Sequence, residues 1–119
     1  MEKTVLVGVI TNDQGYEKSM DYLEELEFLT VTAGGFVNKI FTQKLNNPNP
    51  KTFIGEGKIN EIRDYIKDHD VKTVIFDDEL TATQERNISK IFNCKILART
   101  NLILDILLKE LKLVMQRPK

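Results

Sequence analysis

Four short stretches of the chain have the residue pattern of β-strands. They are residues 4–10, 36–42, 72–77 and 95–98. The first reads Thr-Val-Leu-Val-Gly-Val-Ile and is apolar almost throughout, and the middle of the third is Val-Ile-Phe. A strand that is covered on both faces has this near-continuous apolar character, whereas a strand with one solvated face alternates apolar and polar residues. The stretches therefore predict the strands of a mostly parallel sheet.

Between these stretches the apolar residues recur at helical spacing. The first such stripe is Tyr16, Met20, Leu23, Leu26 and Leu29. The second is Ile59, Ile62 and Ile66, and the third is Ile88, Ile91 and Phe92. The resulting order β-α-β-α-β-α-β-α predicts an α/β fold of three layers, with about four mostly parallel strands flanked by helices and joined by right-handed crossovers. We expect the strand order 2-1-3-4.

Several polar residues and glycines mark where the helices begin and end. The first helix is expected to end near Gly34 and Gly35, because glycine readily adopts the positive φ of a helix stop. Thr81 and Gln84 have the spacing of a capping box, in which both side chains bind backbone donors at a helix start. Residues 99–101, Arg-Thr-Asn, are expected to cap a last helix that begins near residue 102.

The last helical segment differs from the others. Residues 102–115 are so rich in leucine, isoleucine and valine that a helix here has apolar residues on more than one face. Four of them fall at coiled-coil spacing: Leu104, Leu108, Leu111 and Met115. This pattern predicts a helix that packs against a partner, and self-association through this apolar tail is one such arrangement.

Composition limits the functions open to the chain. Its 119 residues, 41% of them hydrophobic, suffice for one domain, and 17 basic against 18 acidic residues exclude an overall positive field that would bind nucleic acid without regard to sequence. Any RNA contact must therefore be local. No stretch reaches the roughly 18 apolar residues of a membrane span, so we expect a cytoplasmic protein. The single cysteine, Cys94, excludes an internal disulfide, and we assign no role to the single histidine, His69.

A glycine-rich turn before the second helix is the most site-like motif. Gly55, Gly57 and Lys58 lie where backbone donors and the positive end of a helix favour an anion, so they are candidate nucleotide- or phosphate-binding residues. The motif is not a Walker A loop, because it lacks the four-residue spacing between glycines and the hydroxyl residue after the lysine. The alternative interpretation is a tight turn with a solvated lysine.

An acidic run follows the third strand. Asp77, Asp78 and Glu79 lie at the carboxyl end of a parallel strand, where open α/β sheets place ligands, and their oxygens suit Mg²⁺. Alternatively, these residues only shape a turn and complement the next helix's positive end. Arg86 and Arg99 are candidate phosphate or RNA contacts, although each can equally pair with these acids. No Ser-His-Asp or Cys-His set can be assembled, so catalysis by side chains is not expected.

Taken together, several segments resemble the amino-terminal domain of HflX-type GTP-binding proteins in order and spacing. They are Phe41-Thr-Gln-Lys44, Thr52-Phe-Ile-Gly-Glu-Gly-Lys58, Val74-Ile-Phe-Asp-Asp-Glu-Leu80, Gln84 with Arg86-Asn87, and Arg99-Thr-Asn-Leu-Ile-Leu-Asp-Ile106. The resemblance implies a ribosome-bound GTPase that acts on the large subunit and its RNA. It also implies GTP and Mg²⁺ bound by a separate GTPase domain that this sequence lacks, and an association of the amino-terminal domain with ATP. Gly55, Gly57 and Lys58 match the family's Gly-x-Gly-Lys segment.

The sequence departs from the family pattern at two places. Ala98 stands where the family usually has aspartate, which questions a salt link or cap near Arg99. After Ile106 the family continues roughly Phe-Ala-Lys-Arg-Ala-Gln-Thr, and loss of one nucleotide there would produce the Leu-Leu that this chain has instead. We therefore expect residues 1–106 to form the α/β domain and residues 107–119 to be an atypical, frameshifted helical tail.

These observations favour a binding module of a translation GTPase. The alternative hypothesis is an ATPase domain that uses the Gly-Glu-Gly-Lys segment and Mg²⁺.

Overall fold

The computed structural model describes residues 2–115, apart from the side chains of residues 2, 110, 111 and 113–115. The four strands are β1 (Glu2–Ile10), β2 (Gly35–Lys44), β3 (Thr73–Phe76) and β4 (Lys95–Ala98). The four helices are α1 (Tyr16–Thr32), α2 (Glu56–His69), α3 (Ala82–Phe92) and α4 (Arg99–Met115). The strands form one sheet in the order β2-β1-β3-β4, and every pairing is parallel. The predicted α/β class and strand order are confirmed, and the sheet is wholly rather than mostly parallel.

Successive residues of β1 serve two different hydrophobic cores. Val5 and Val7 belong to the larger core, which α2 and α3 cover, whereas Leu6 between them belongs to the smaller core beneath α1 and α4. Adjacent side chains of a strand point to opposite faces of the sheet, so a strand covered on both faces must be apolar at every position. This arrangement explains the continuous apolar run and gives the three layers.

A glycine in the middle of β1 lets α1 approach the sheet closely. A Cβ atom at Gly8 would lie 2.8 Å from Cδ1 of Leu23, which is 1% exposed. Any larger side chain would push the helix away from the strand or force Leu23 to move.

The helix boundaries confirm one prediction and correct another. The capping box is present, since the Gln84 backbone N–H donates to Thr81 Oγ1 (3.1 Å) and the Thr81 N–H donates to Gln84 Oε1 (2.9 Å). The start of the last helix was predicted too late, because α4 begins at Arg99 directly after β4. Asn101 acts from inside the first turn, where its Oδ1 accepts the Ala98 N–H at 3.0 Å.

The outer face of α4 exposes several large apolar side chains. Leu104, Leu107 and Leu108 are 51%, 54% and 64% exposed. The side chains of Leu111 and Met115, two of the predicted coiled-coil positions, lie outside the described residues, as do residues 116–119 of the predicted tail. Self-association through this face stays a prediction. Among residues 2–115 no helix combines the length and apolar character needed to cross a bilayer.

Candidate functional site at the carboxyl edge of the sheet

The strand order creates a switch point between the two central strands. From β1 the chain crosses to β2 on one side, whereas β3 leads to β4 on the other. The connections that leave the carboxyl ends of β1 and β3 therefore diverge and leave a crevice between them. Open α/β sheets place their ligands in such a crevice.

Two adjoining cavities occupy this position, and we call them together the switch-point crevice. Their volumes are about 230 and 400 Å³, and both are lined by Val9, Gln14 and Asp78. The first is also lined by Tyr22, Asp77 and Arg99, and the second by Thr11, Pro48, Phe53 and Glu79. The crevice thus combines carboxylates with aromatic and aliphatic surface.

Asp77 is the buried member of the acidic run. Its backbone N–H extends the sheet by donating to the carbonyl of Val7 (2.9 Å), and its side chain is only 8% exposed. Its carboxylate accepts from Nε of Arg99 at 2.5 Å. Burial raises the pKa of Asp77 above its usual value, although the hydrogen bond and charge of Arg99 act in the opposite direction.

Arg99 joins three elements of the fold. Besides Asp77, its guanidinium binds Glu25 Oε1 at 3.1 Å and the backbone carbonyl of Tyr22 at 2.6 Å, and it lies 5.6 Å from the Tyr22 ring centroid. Each of its three side-chain nitrogens therefore has an intramolecular acceptor. A salt link at Arg99 is thus present although Ala98 replaces the family's aspartate, because Asp77 and Glu25 supply the carboxylates. Pairing of this arginine with the acidic run was one of the two predicted alternatives.

The other two acids of the run have different surroundings. Asp78 lines both cavities, and partial burial together with the charge of Asp77 raises its pKa to about 6. Glu79 accepts a hydrogen bond from the hydroxyl of Thr100. Among the described residues no three His, Cys, Asp or Glu side chains converge as a metal site. An Mg²⁺ ion here would need further oxygen ligands from a bound molecule, and the predicted Mg²⁺ role stays a prediction.

The glycine turn lies at the same edge of the sheet but outside the crevice lining. The Gly55 N–H donates to Gln43 Oε1 at 2.8 Å, and Gly55 is the N-cap of α2. Lys58 is partly buried and pairs with Glu61 one turn further along, at 2.9 Å. This hydrogen bond lowers the pKa of the exposed Glu61 carboxyl. The polar groups of the turn are therefore largely satisfied within the domain.

The loop that leads into this turn is fixed by α3. Nε2 of Gln84 donates to the carbonyl of Asn49 at 2.9 Å, and Nδ2 of Asn87 donates to the carbonyl of Lys51 at 3.0 Å. Phe53, which lines the crevice, has a φ of 68°, unusual for a bulky residue. Gln84 therefore both caps its own helix and positions the loop that presents Phe53.

Sequence reasoning missed several residues that line or support the crevice. Gln14 lies in the turn after β1, so the strand-end rule that selected the acidic run would also have selected it. Glu25 and Tyr22 are on α1, and no local pattern indicates that they meet Arg99. Arg86, the other predicted basic contact, is exposed on α3 and does not line the crevice.

A family model and the sequences of known proteins both match most of this chain. Residues 20–107 match the family model described as GTP-binding GTPase N-terminal. The chain is 60% identical over 105 residues to the GTPase HflX of Flavobacterium psychrophilum, which covers 88% of this chain and 25% of that protein. It is 38% identical over 105 residues to the GTPase HflX of Escherichia coli, with 88% and 24% covered. The chain thus spans about a quarter of the length of the curated relatives it matches.

A solved structure has the same fold. A GTP-binding protein from the hyperthermophilic archaeon Sulfolobus solfataricus, crystallised in complex with GDP, superimposes with a TM-score of 0.64 at 22% identity. The match covers 89% of this chain and 30% of that protein, and at this identity it shows the fold alone. The family model and the sequence identities carry the assignment, and the chain belongs to the family of amino-terminal domains of HflX-type GTP-binding GTPases.

Proposed function

We propose that this domain is the binding part of an HflX-type GTPase that acts on the large ribosomal subunit, in ribosome splitting or rescue. The observation that carries the proposal is the 60% identity to a GTPase HflX over 105 residues. In this proposal GTP and Mg²⁺ are bound by a GTPase domain of the longer protein, and the domain described here contributes contacts. A ribosomal partner would place the protein in the cytoplasm.

Of the two predicted basic contacts, Arg86 is the better suited to ribosomal RNA. It is exposed on α3, and its side chain makes no hydrogen bond or ion pair with the parts of the chain that the structure describes. The three side-chain nitrogens of Arg99 instead donate to Asp77, Glu25 and the Tyr22 carbonyl. Arg99 therefore stabilises the wall of the crevice. A phosphate contact through Arg86 would be sensitive to salt, because it displaces counterions from RNA.

Binding to the large subunit can be measured by cosedimentation of the purified chain with isolated subunits through a sucrose cushion. We expect cosedimentation at low salt that weakens as salt increases, and a further loss in Arg86→Glu. Lys18→Glu is the matched control, since Lys18 is an exposed cation on α1, in the layer opposite α3. Absence of cosedimentation at low salt, or an equal loss in both variants, would contradict the proposed contact.

Nucleotide binding by Gly55, Gly57 and Lys58 is a further proposal for this domain. It is supported by the open space around Gly57 in the first turn of α2, because the positive end of a helix favours an anion. Lys58 would have to exchange Glu61 for the phosphate. Isothermal titration with ATP and with GTP, each with Mg²⁺, tests this site in wild type and in Lys58→Ala.

Hydrolysis of ATP by this domain is not favoured. Asp77 is paired with Arg99, and Glu79 accepts a hydrogen bond from Thr100. Lys58 pairs with Glu61 and does not line the crevice. We expect no turnover above a no-protein blank when ATP and Mg²⁺ are supplied. Robust hydrolysis that disappears in Lys58→Ala would establish the ATPase interpretation instead.

A further inference from the structure

A second concave surface lies between α2 and α3, in the layer opposite α1 and α4. It consists of two cavities of about 480 and 310 Å³. Arg63 and Ile91 line both cavities, so the two form one continuous depression, which we call the α2–α3 groove. It extends from the loop at Lys51 to Cys94, the residue before β4, and none of its lining residues takes part in the switch-point crevice.

The floor of the groove is apolar. Ile66, Val71 and Phe92 are buried and Ile91 is half-buried, and all four line the larger cavity. Ile59 continues this floor into the smaller cavity. Apolar surface at the base of a groove favours a ligand that carries apolar side chains, because burying them on binding removes them from water.

The rim of the groove is basic, although the whole chain has a net charge of −1. Its lining cations are Lys51, Arg63, Lys67 and Lys72, and its lining carboxylates are Glu56 and Asp70. Lys72 is paired with Asp70 at 3.0 Å, and Arg63 Nε lies 3.7 Å from the exposed carboxylate of Asp64. Lys51 and Lys67 have no ion pair among the described side chains. The groove therefore has a local excess of positive charge.

Three asparagines line the groove, and two of them add hydrogen-bonding capacity to its rim, since Asn49 already accepts the Lys51 N–H within its own loop. Asn60 lines the smaller cavity and Asn93 the larger one, and both residues are exposed. An amide offers both a donor and an acceptor, so it can bind a peptide group or a polar side chain.

We propose that the α2–α3 groove binds an acidic amphipathic segment of a partner protein. The apolar side chains of that segment lie on the floor formed around Ile91, and its carboxylates meet the cations on the rim. Charge complementarity guides such a segment to the groove and fixes its register, while apolar burial supplies the affinity. A nucleic acid fits less well, because its evenly charged backbone would meet Glu56 and Asp70 and leave the apolar floor unused.

The only cysteine of the chain offers a local reporter of occupancy. Cys94 lines the larger cavity and is half-buried, and its Sγ donates to the carbonyl of Val71 at 3.2 Å. Burial raises the pKa of this thiol, so its alkylation is slow and depends on access from the groove. A ligand that covers this end of the groove must slow alkylation further.

The test uses the full chain and a synthetic amphipathic peptide with glutamate on one face and leucine on the other, about 15 residues long to match α2. Binding is followed by fluorescence anisotropy of the labelled peptide, and occupancy by the rate of Cys94 alkylation with iodoacetamide. We expect saturable binding and alkylation slowed several-fold. Arg63→Glu with Lys67→Glu should weaken binding about tenfold and remove the protection of Cys94, since attraction becomes repulsion at two positions.

The matched control is Lys18→Glu with Lys44→Glu, which makes the same charge change at two exposed lysines outside the groove. It should bind the peptide like wild type. Circular dichroism checks folding, and Arg63→Gln with Lys67→Gln replaces the reversal if that variant unfolds. No binding, no protection of Cys94, or an equal loss in the control would overturn the proposal. Protection of Cys94 by a single-stranded RNA of similar length, but not by the peptide, would also overturn it.

Discussion

The glycine turn and the switch-point crevice both lie at the carboxyl edge of the sheet, but their polar groups are hydrogen-bonded within the domain to different degrees. In the glycine turn, the Gly55 N–H donates to Gln43 and Lys58 pairs with Glu61. In the switch-point crevice, Asp77 and Arg99 neutralise each other, while Asp78 lines two cavities with a raised pKa. The turn is closed by its contacts to Gln43 and Glu61, whereas the crevice retains a carboxyl group and open volume for a ligand.

The difference shows that a sequence motif typical of a binding site does not by itself leave polar groups and volume open to a ligand. Glycines before a helix supply backbone donors, but a neighbouring side chain such as Gln43 can occupy one of them. A strand end at a switch point leaves open volume because the flanking connections diverge, whatever residues it carries. Substitutions in the two regions should therefore differ in their effects on stability and binding.

The largest effect is expected from removing Arg99. Arg99→Ala leaves the carboxyl of Asp77, 8% exposed, without its cation, and it also removes the contacts to Glu25 and the Tyr22 carbonyl. We expect a loss of about 2 kcal/mol in the free energy of unfolding at neutral pH, below the full cost of breaking a buried pair because Arg99 is partly exposed. Urea unfolding followed by circular dichroism measures the loss.

Lys58→Ala provides the comparison for that variant. Its ion pair with the exposed Glu61 carboxylate lies within one helix turn, so its removal should leave the urea midpoint of unfolding almost unchanged. Equal losses in Lys58→Ala and Arg99→Ala would show that the two regions do not differ in how their charges are held.

A smaller effect is expected in the glycine turn itself. Gln43→Ala leaves the Gly55 N–H without its acceptor at the start of α2, which should lower the free energy of unfolding by about 1 kcal/mol. Gln43→Glu is the matched control, because a carboxylate keeps an acceptor there and suits the positive end of the helix. A loss in the glutamate variant as large as in the alanine variant would show that this hydrogen bond is not what stabilises the turn.

The crevice should also make stability depend on pH. The folded-state pKa of Asp78 is raised from 3.8 to about 6, so the folded protein binds a proton that the unfolded chain releases between these values. Stability from this group is therefore fully present below about pH 4 and lost as the pH rises towards 6. Burial raises the pKa of Asp77 in the same direction.

Asp78→Asn removes the titrating carboxyl and with it this group's contribution to the pH dependence of stability. At pH 7 the variant should be more stable than wild type, by less than about 1 kcal/mol because Asp78 is exposed to solvent screening. The difference should shrink towards pH 4, where the wild-type carboxyl is protonated, and urea unfolding across this range measures it. A variant that is less stable than wild type at pH 7 would indicate that the ionised carboxyl has a stabilising partner.

The fold followed from the sequence because its signals are local, whereas the crevice's contacts join distant segments. The apolar character of Val5 and Leu6 alike indicated a strand covered on both faces, and Thr81 with Gln84 indicated a helix start. The acidic run was placed correctly at a strand end. Arg99, in contrast, binds Glu25 across 74 residues, and only the packing of α1 beside α4 brings them together.

The smallest expected effect concerns Gly57, and its sign is the most informative. The residue lies in the first turn of α2 with helical φ, and a Cβ atom there would have no neighbour within 4 Å. Gly57→Ala should therefore raise the free energy of unfolding by about 0.5 kcal/mol, because alanine restricts the unfolded chain more than glycine does. Gly55→Ala should show no such gain, since its Cβ would lie 3.0 Å from Nε2 of Gln43.

Thermal unfolding of both variants, combined with nucleotide titration, separates folding from binding at this turn. A Gly57→Ala protein that is more stable yet binds nucleotide more weakly would show that the glycine is kept for close approach of a phosphate, at the expense of stability. Unchanged binding in a stabilised variant would show that the turn only starts the helix. The switch-point crevice would then be the candidate ligand site at this edge of the sheet. A destabilised variant would contradict the open surroundings of Gly57 in the first turn of α2.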